Sequence, residues 1–166
     1  MTKVIDAAEF ISMIKSNPEA FEVSGRIEVK GKVELPAGRF KTLNLDCLTF
    51  DEIDFRGSYV EELLLGSVRA MRLYCESAHI KHINLEDASI CDLDFGDAII
   101  GDLCCGDSKI QWVNFGETSF GAVHAVNNPA LAWVIQQYIQ SKVQYGIDDA
   151  PPWLLERSPK MPGINT

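Results

Sequence analysis

No stretch of about 18 consecutive apolar residues occurs in the 166-residue chain, so no membrane-spanning helix is expected. Basic residues are scarce: 15 Lys plus Arg stand against 24 Asp plus Glu, a net charge of −9. That balance speaks against direct binding to a nucleic-acid backbone or an anionic membrane, which needs a basic patch. The five cysteines, at 47, 75, 91, 104 and 105, are odd in number and form no CxxC pair. Neither a disulfide framework nor a zinc knuckle is expected, and a reducing cytoplasm suits free thiols. Met1 to Phe10 shows no basic run followed by an apolar one, so no secretory leader is expected. There is no G-x-x-x-x-G-K, no G-x-G-x-x-G opening a helix and no H-E-x-x-H. The expectation is a non-enzymatic chain without cofactor or metal. At 46% apolar and 23% charged it has the composition of one globular domain.

What is present is a period. Every fifth residue from 45 is apolar: Leu45, Phe50, Phe55, Val60, Leu65, Ala70, Cys75, Ile80, Leu85, Ile90, Phe95, Ile100, Cys105, Ile110, Phe115 and Phe120. By chance that run has a probability on the order of one in 10⁵ to 10⁶. A second series lies two residues earlier, and from Ile53 it mostly alternates large and small: Ile53/Ser58, Leu63/Val68, Leu73/Ala78, Ile83/Ala88, Leu93/Ala98, Leu103/Ser108. The unit is therefore ten residues, nested in twenty. Neither a helical period nor unbroken alternation fits it, whereas short strands separated by turns do. Gly66, Gly96, Gly101, Gly106, Gly116 and Gly121 share one phase, one residue after the apolar series, which predicts turn positions that tolerate positive φ.

The tandem pattern over residues 43–125 resembles the pentapeptide-repeat family, with motif A-(D/N)-L-x-x. Ala88-Ser89-Ile90-Cys91-Asp92 and Ala98-Ile99-Ile100-Gly101-Asp102 come nearest to it. The resemblance implies an all-β solenoid, a right-handed quadrilateral parallel β-helix with twenty residues per coil. About four to five coils are expected. The family prefers a small residue at every first motif position; here every second one is large. A leucine-rich repeat is the rival, but its Asn position holds Leu48, Val68, Ala88 and Ser108.

Four segments follow. Residues 1–20 form an N-terminal helical cap, with a helix over Asp6 to Lys15 whose apolar side is Phe10, Ile11 and Ile14. Residues 21–127 form the β-helix, its first coil irregular. Residues 128–146 are a C-terminal helix with Asn128-Pro129 as its start and Gly146 as its stop. Residues 147–166, with four of the seven prolines, form an extended tail. The helix has apolar residues on more than one face, so one face can cap the last coil and the excess is a candidate homodimer surface. Trp133 and Tyr138 are the expected anchors. Dimerisation through such a segment is also what the family resemblance implies.

Within 43–125 there are 15 acidic and 5 basic residues, a net −10. Asp87, Asp92, Asp97, Asp102, Asp107 and Glu117 share one phase, and Asp is at home in turns. At twenty residues per coil, Asp87 stacks on Asp107 and Asp97 on Glu117, and these four are the candidate acidic interaction surface. The partner expected is an unidentified protein, basic or DNA-binding. Family members thought to imitate duplex DNA towards topoisomerases supply the alternative of a DNA mimic. The same register stacks Glu52, Arg72 and Asp92, then Lys41, Glu61 and Lys81, then Arg56 and Glu76, as charge ladders. It also stacks Cys104 on His124 beside Asn84, the one pair resembling a metal or Cys–His site, without a third member. Trp112, Tyr59, Tyr74, Leu64, Ile99 and Met71 fall on outward positions, where the termini are expected to cover them.

Overall fold

The computed structural model describes residues 2–23 and 25–144, with side chains described through residue 140. The chain enters as β1 (Lys3–Asp6), α1 (Ala7–Ser16) and β2 (Ala20–Glu22). It continues through β3 (Ile27–Glu34), β4 (Arg39–Asn44), β5 (Thr49–Asp54), β6 (Tyr59–Leu64), β7 (Arg69–Tyr74) and β8 (His79–Asn84). It closes with β9 (Ser89–Asp94), β10 (Ile99–Cys104), β11 (Lys109–Asn114), β12 (Ser119–His124) and α2 (Pro129–Gln144). Odd-numbered strands form one six-stranded sheet in chain order and even-numbered strands the other. Every pairing is parallel, as between β5 and β7 or β8 and β10. The protein is thus an all-β parallel solenoid with a helix at each end. Its described residues form six coils of two strands each, one more than the upper expectation.

The additional coil is β1 with β2; β1 lies inside the segment expected to be a helical cap alone, and β2 straddles its end at residue 20. It escapes the repeat because the spacing between paired residues is longer there. Lys3 pairs with Ile27, 24 residues on, and Ala20 with Thr42, 22 on. Val29 pairs with Phe50, 21 on, and from Lys32 to Glu52 the spacing is 20. The register shift between Val29 and Lys32 brackets Gly31, whose φ of +86° suits glycine. The helix itself is where it was expected. Asp6 caps it by accepting from the Glu9 amide at 2.8 Å. Phe10 and Ile14 are fully buried, and Phe10 meets Phe21 and Phe50 edge-on at 5.6 and 5.4 Å. The helix closes the first coil with apolar side chains that would otherwise face water.

From residue 45 the ten-residue unit has a clear origin. Main-chain hydrogen bonds close a β-turn every ten residues, from Leu48 to Leu45, Ser58 to Phe55, Val68 to Leu65, Ala78 to Cys75 and so on to Asn128 and Ala125. Between turns the chain bends inside a six-residue strand, and the ladder of paired residues skips the bend, as at Asp51/Met71 and Glu61/Lys81. Inward positions in each strand are the second and fifth, three apart across the bend. The small members of the alternating series (Ser58, Ala78, Ala88, Ala98, Ser108, Thr118) all directly follow a hydrogen-bonded turn. Apart from Leu48 and Val68, which also follow turns, the large ones follow the gentler bend. So the departure from the family's small-residue rule marks two kinds of corner. The fifth-residue series points inward as expected: fifteen of its sixteen members are buried and Ile110 is partly buried.

The glycines divide into two groups. Only Gly96 and Gly116 of the in-phase set have positive φ, +54° and +48°. Gly101 and Gly121 lie at bends in the second sheet, where a Cβ would come 2.3 Å from the Lys81 carbonyl oxygen and 2.5 Å from that of Gly101. Close approach of successive coils, not φ, requires glycine there. Within the repeat most positive φ values fall one residue later, at Cys47, Gly57, Ser67, Ser77, Asp87 and Asn127.

At the far end Asn128 has two roles. Its side-chain oxygen accepts from the Leu131 amide at 3.2 Å, and its amide group donates to the Ser108 carbonyl at 2.8 Å. Helix α2 is thereby fixed to the last coil. Ile135 and Ile139 are buried, while Trp133 and Val134 face outward. The expected stop at Gly146 and the expected tail over 147–166 lie outside the described residues.

Candidate interaction surface

Two rows of turns run along the solenoid. One joins even strands to the next odd strand and presents Cys47, Ser67, Asp87, Asp107 and Asn127. The other joins odd strands to even ones and presents Gly57, Ser77, Asp97 and Glu117. Asp87 and Asp107 therefore stand on one edge, and Asp97 and Glu117 on the other. The structure gives two short acidic rows, not a single surface containing all four. Asp92 and Asp102, of the same sequence phase, lie within strands β9 and β10 and not at turns.

The rows differ chemically. Asp87 adopts φ +58° at its turn, a conformation that Asp tolerates better than most residues. Asp97 accepts from the Ser77 amide at 2.6 Å and the Ser77 hydroxyl at 2.7 Å, one coil back. Those bonds from Ser77 hold its carboxyl below the ordinary value, so it stays ionised while tying coils together. Turn chemistry thus accounts for Asp87 and Asp97 whatever else they do.

A further set of acidic and amide side chains escaped the sequence reading. Asn44, Asp54, Asn84, Asp94 and Asn114 each accept a hydrogen bond from the amide two residues on, entering the next turn. Asn or Asp directly before the fifth-residue series was the available signal. Leu64, Tyr74, Cys104 and His124 occupy the same phase without that chemistry. Cys104 and His124 are paired in register, as the twenty-residue coil requires. Burial, then the nearby charges of Glu86 and Asp102, push the Cys104 thiol above its ordinary value. Neither burial nor these carboxylates favours the thiolate form at Cys104. Among the described residues, no group of three or more His, Cys, Asp or Glu is arranged to hold a metal ion.

The charge ladders have the expected register but choose partners unequally. Arg72 is aligned with both Glu52 and Asp92, yet its guanidinium pairs with Glu52 at 2.7 Å. Glu61 is held by Arg39 at 3.2 Å and Lys81 at 3.7 Å, with Lys41 uninvolved. Arg56 reaches Glu76 at 3.9 Å but is mainly engaged by buried Asp54. Cations are concentrated early: residues 26–41 hold five basic and two acidic residues, net +3, whereas 76–117 hold nine acidic and two basic, net −7.

Among the described residues, the outward apolar side chains are not all covered. Tyr59 lies under Arg39 at 4.5 Å and against His79 at 4.9 Å, and Tyr74 lies under Arg56 at 5.6 Å. Leu64 is half-buried. Met71, Ile99 and Trp112 remain 59%, 52% and 75% exposed. The N-terminal segment does not cover them because it builds a coil of its own. Coverage by residues 147–166 lies outside the described residues.

The two expected dimer anchors also separate. Trp133 faces outward, 45% exposed. Tyr138 turns into its own solenoid: its ring lies 4.8 Å from Phe115, and its hydroxyl donates to the carbonyls of Thr118 at 2.8 Å and Gly116 at 3.1 Å. It is a cap residue, fixed by a hydroxyl that an apolar count ignores. Among the described residues no helix is long and apolar enough to cross a membrane. No protein-family model, curated protein or solved structure matches the chain.

Proposed function

We propose that the chain is a non-enzymatic protein-interaction module, a divergent pentapeptide-repeat-like β-helix working in a reducing cytoplasm. The twenty-residue register and the parallel two-sheet coil support the family reading. Five free thiols support the compartment. The observation carrying the function is the segregation of charge. Early acidic groups are matched to cations, while residues 76–117 keep a net −7 on a rigid scaffold. Such a field attracts and orients a basic protein surface. The test is a pull-down from lysate with the immobilised chain beside a variant carrying Asp87→Asn, Asp97→Asn, Asp107→Asn and Glu117→Gln. Loss of a captured protein from the variant supports the reading; equal recovery removes the turn rows from the mechanism.

The arrangement of acid in two rows along an axis favours a second reading, a DNA mimic acting on a topoisomerase or another DNA-binding protein. In that case the captured protein binds DNA, and duplex DNA releases it. Self-association through the outward side of α2, with Trp133 and Val134 as anchors, is a separate proposal. Light scattering at micromolar concentration showing only an 18.4 kDa species would reject it.

A further inference from the structure

The least covered of the large apolar side chains described is Trp112 on β11, 75% exposed. Its paired neighbour one coil back is Asp92. Arg72, the cation aligned with Asp92 on the other side, is committed to Glu52 at 2.7 Å. Asp92 therefore has no cation partner among the described residues. Two residues along, Asp94 is fixed by the Gly96 amide at 2.9 Å and the Asn114 side chain at 3.0 Å. Asp97 and Glu117 flank this face at the adjoining turns, and Lys109 stands on the far side of the bend at Gln111. Among the described residues the face is thus an exposed sheet surface on the terminal strand pair, with an indole beside unpaired acidic charge on this side of the bend.

We propose that this face of β9 and β11 docks an arginine-bearing segment of a partner protein, with the guanidinium laid on Trp112 and paired with Asp92. The chemistry is selective for Arg over Lys. A planar guanidinium stacks on an indole and presents a fork of donors to a carboxylate, whereas an ammonium offers a point charge. Charge complementarity identifies the occupant, since an acidic or purely apolar segment would leave Asp92, Asp94 and Asp97 desolvated without a cation. The proposal rests on the interaction-module reading and gives it a location and a partner chemistry.

The test uses the full chain and fluorescein-labelled hexa-arginine, read by anisotropy at about 0.15 M salt, where charges more than about 8 Å apart are screened, with hexa-lysine beside it. Hexa-arginine should bind more tightly than hexa-lysine. Trp112→Ala and Asp92→Asn should each weaken hexa-arginine by about two- to fivefold, the range for exposed cation–π contacts and ion pairs. Trp112→Ala should leave thermal stability unchanged, since the side chain is exposed. Asp87→Asn with Asp107→Asn, on the opposite edge, should change binding by less than about twofold. Unchanged affinity in Trp112→Ala, or an equal loss from the Asp87/Asp107 variant, overturns the proposal. The module reading would then stand or fall separately by the pull-down. If Arg157→Ala with Lys160→Ala tightens peptide binding, the chain's own C-terminal segment is the occupant. If the peptide disperses a dimer, a second copy is. Either result overturns the partner assignment.

Discussion

Phe95 shows what one inward position does. It is 1% exposed, stacks on Phe115 at 6.1 Å and meets Phe120 edge-on at 5.6 Å. Phe95→Asp places an unpaired carboxylate among these rings and should cost about 3–5 kcal/mol. A soluble variant melting at the wild-type temperature would contradict the register. Gly101→Ala should also destabilise, by about 1–3 kcal/mol, because its Cβ meets Lys81 backbone that cannot swing aside. Gly66→Ala is the milder control, since the nearest atom there is an Asp46 side-chain oxygen at 3.1 Å. Asp54, the buried carboxylate among those held low, contributes to the acid response. Burial works to raise its pKa, but hydrogen bonds from Arg56 and that residue's charge outweigh burial and hold it below the ordinary carboxylate value. A lowered folded pKa stabilises above the unfolded value, near about 3.9, and is lost as pH falls through the folded one. Urea midpoints from pH 5 to pH 2 should therefore fall more steeply for wild type than for Asp54→Asn. At high pH the sign reverses: burial pushes the Cys105 thiol up to about 12 and raises that of Cys75 further. Their contribution is intact below the unfolded thiol value, near about 8.5, and is lost as pH rises towards the folded ones.

Among elements, strands and register were legible wherever the spacing is a constant twenty. That holds from Lys32 onward, because each inward residue there meets a repeat partner and a slip would expose it. Strand β1 was not legible. Its four residues bury only Ile5, and α1 lies between it and β2. The outward ladders were legible as register but not as partner choice. Arg72 has one guanidinium and two carboxylates in reach of its column, and sequence spacing cannot rank them. A double-mutant cycle on Arg72 should give about 0.2–1 kcal/mol of coupling with Glu52 and nothing measurable with Asp92. Coupling to Asp92 of equal size would contradict the observed pairing and also neutralise the face proposed for a partner arginine. The candidate site was legible only as composition. The acidic phase was visible, but the division of its members between two edges follows from turns recurring every ten residues and not every five. Trp112 was read as outward, yet its isolation depends on Arg72 choosing the other neighbour.

For the whole molecule, the two kinds of corner predict which lengths of chain can be removed. Deleting residues 65–84 takes out one coil and leaves every later turn over a turn and every bend over a bend. Leu64 then precedes Leu85, in the place that Asn84 held. Tyr59 comes to face Ile99 and Val60 faces Ile100, so inward residues remain inward. The new junction loses Arg72 and sets Glu52 against Asp92 and Glu62 against Asp102, like charges that should cost about 1 kcal/mol or less per exposed pair. Neighbouring coils supply the remaining stability through contacts with the next coil only. The variant should fold, keep a β-dominated circular dichroism spectrum and melt cooperatively at a modestly lower temperature. Deleting residues 65–79 removes fewer residues and should do far more damage. Ile83, Leu93 and Leu103 would then follow hydrogen-bonded turns, in the places of Val68, Ala78 and Ala88, while Ala88 and Ala98 would follow bends that Leu73 and Ile83 now fill. Each coil would be overpacked at one corner and hollow at the other, at about 1–3 and 2–5 kcal/mol per site. Several such sites exceed the whole stability of a domain this size, about 5–15 kcal/mol. Circular dichroism and thermal melts on the two deletions decide the matter. If both fold alike, five residues are the true unit and the two corners are interchangeable; if only the twenty-residue deletion folds, the alternation of large and small residues specifies the coil.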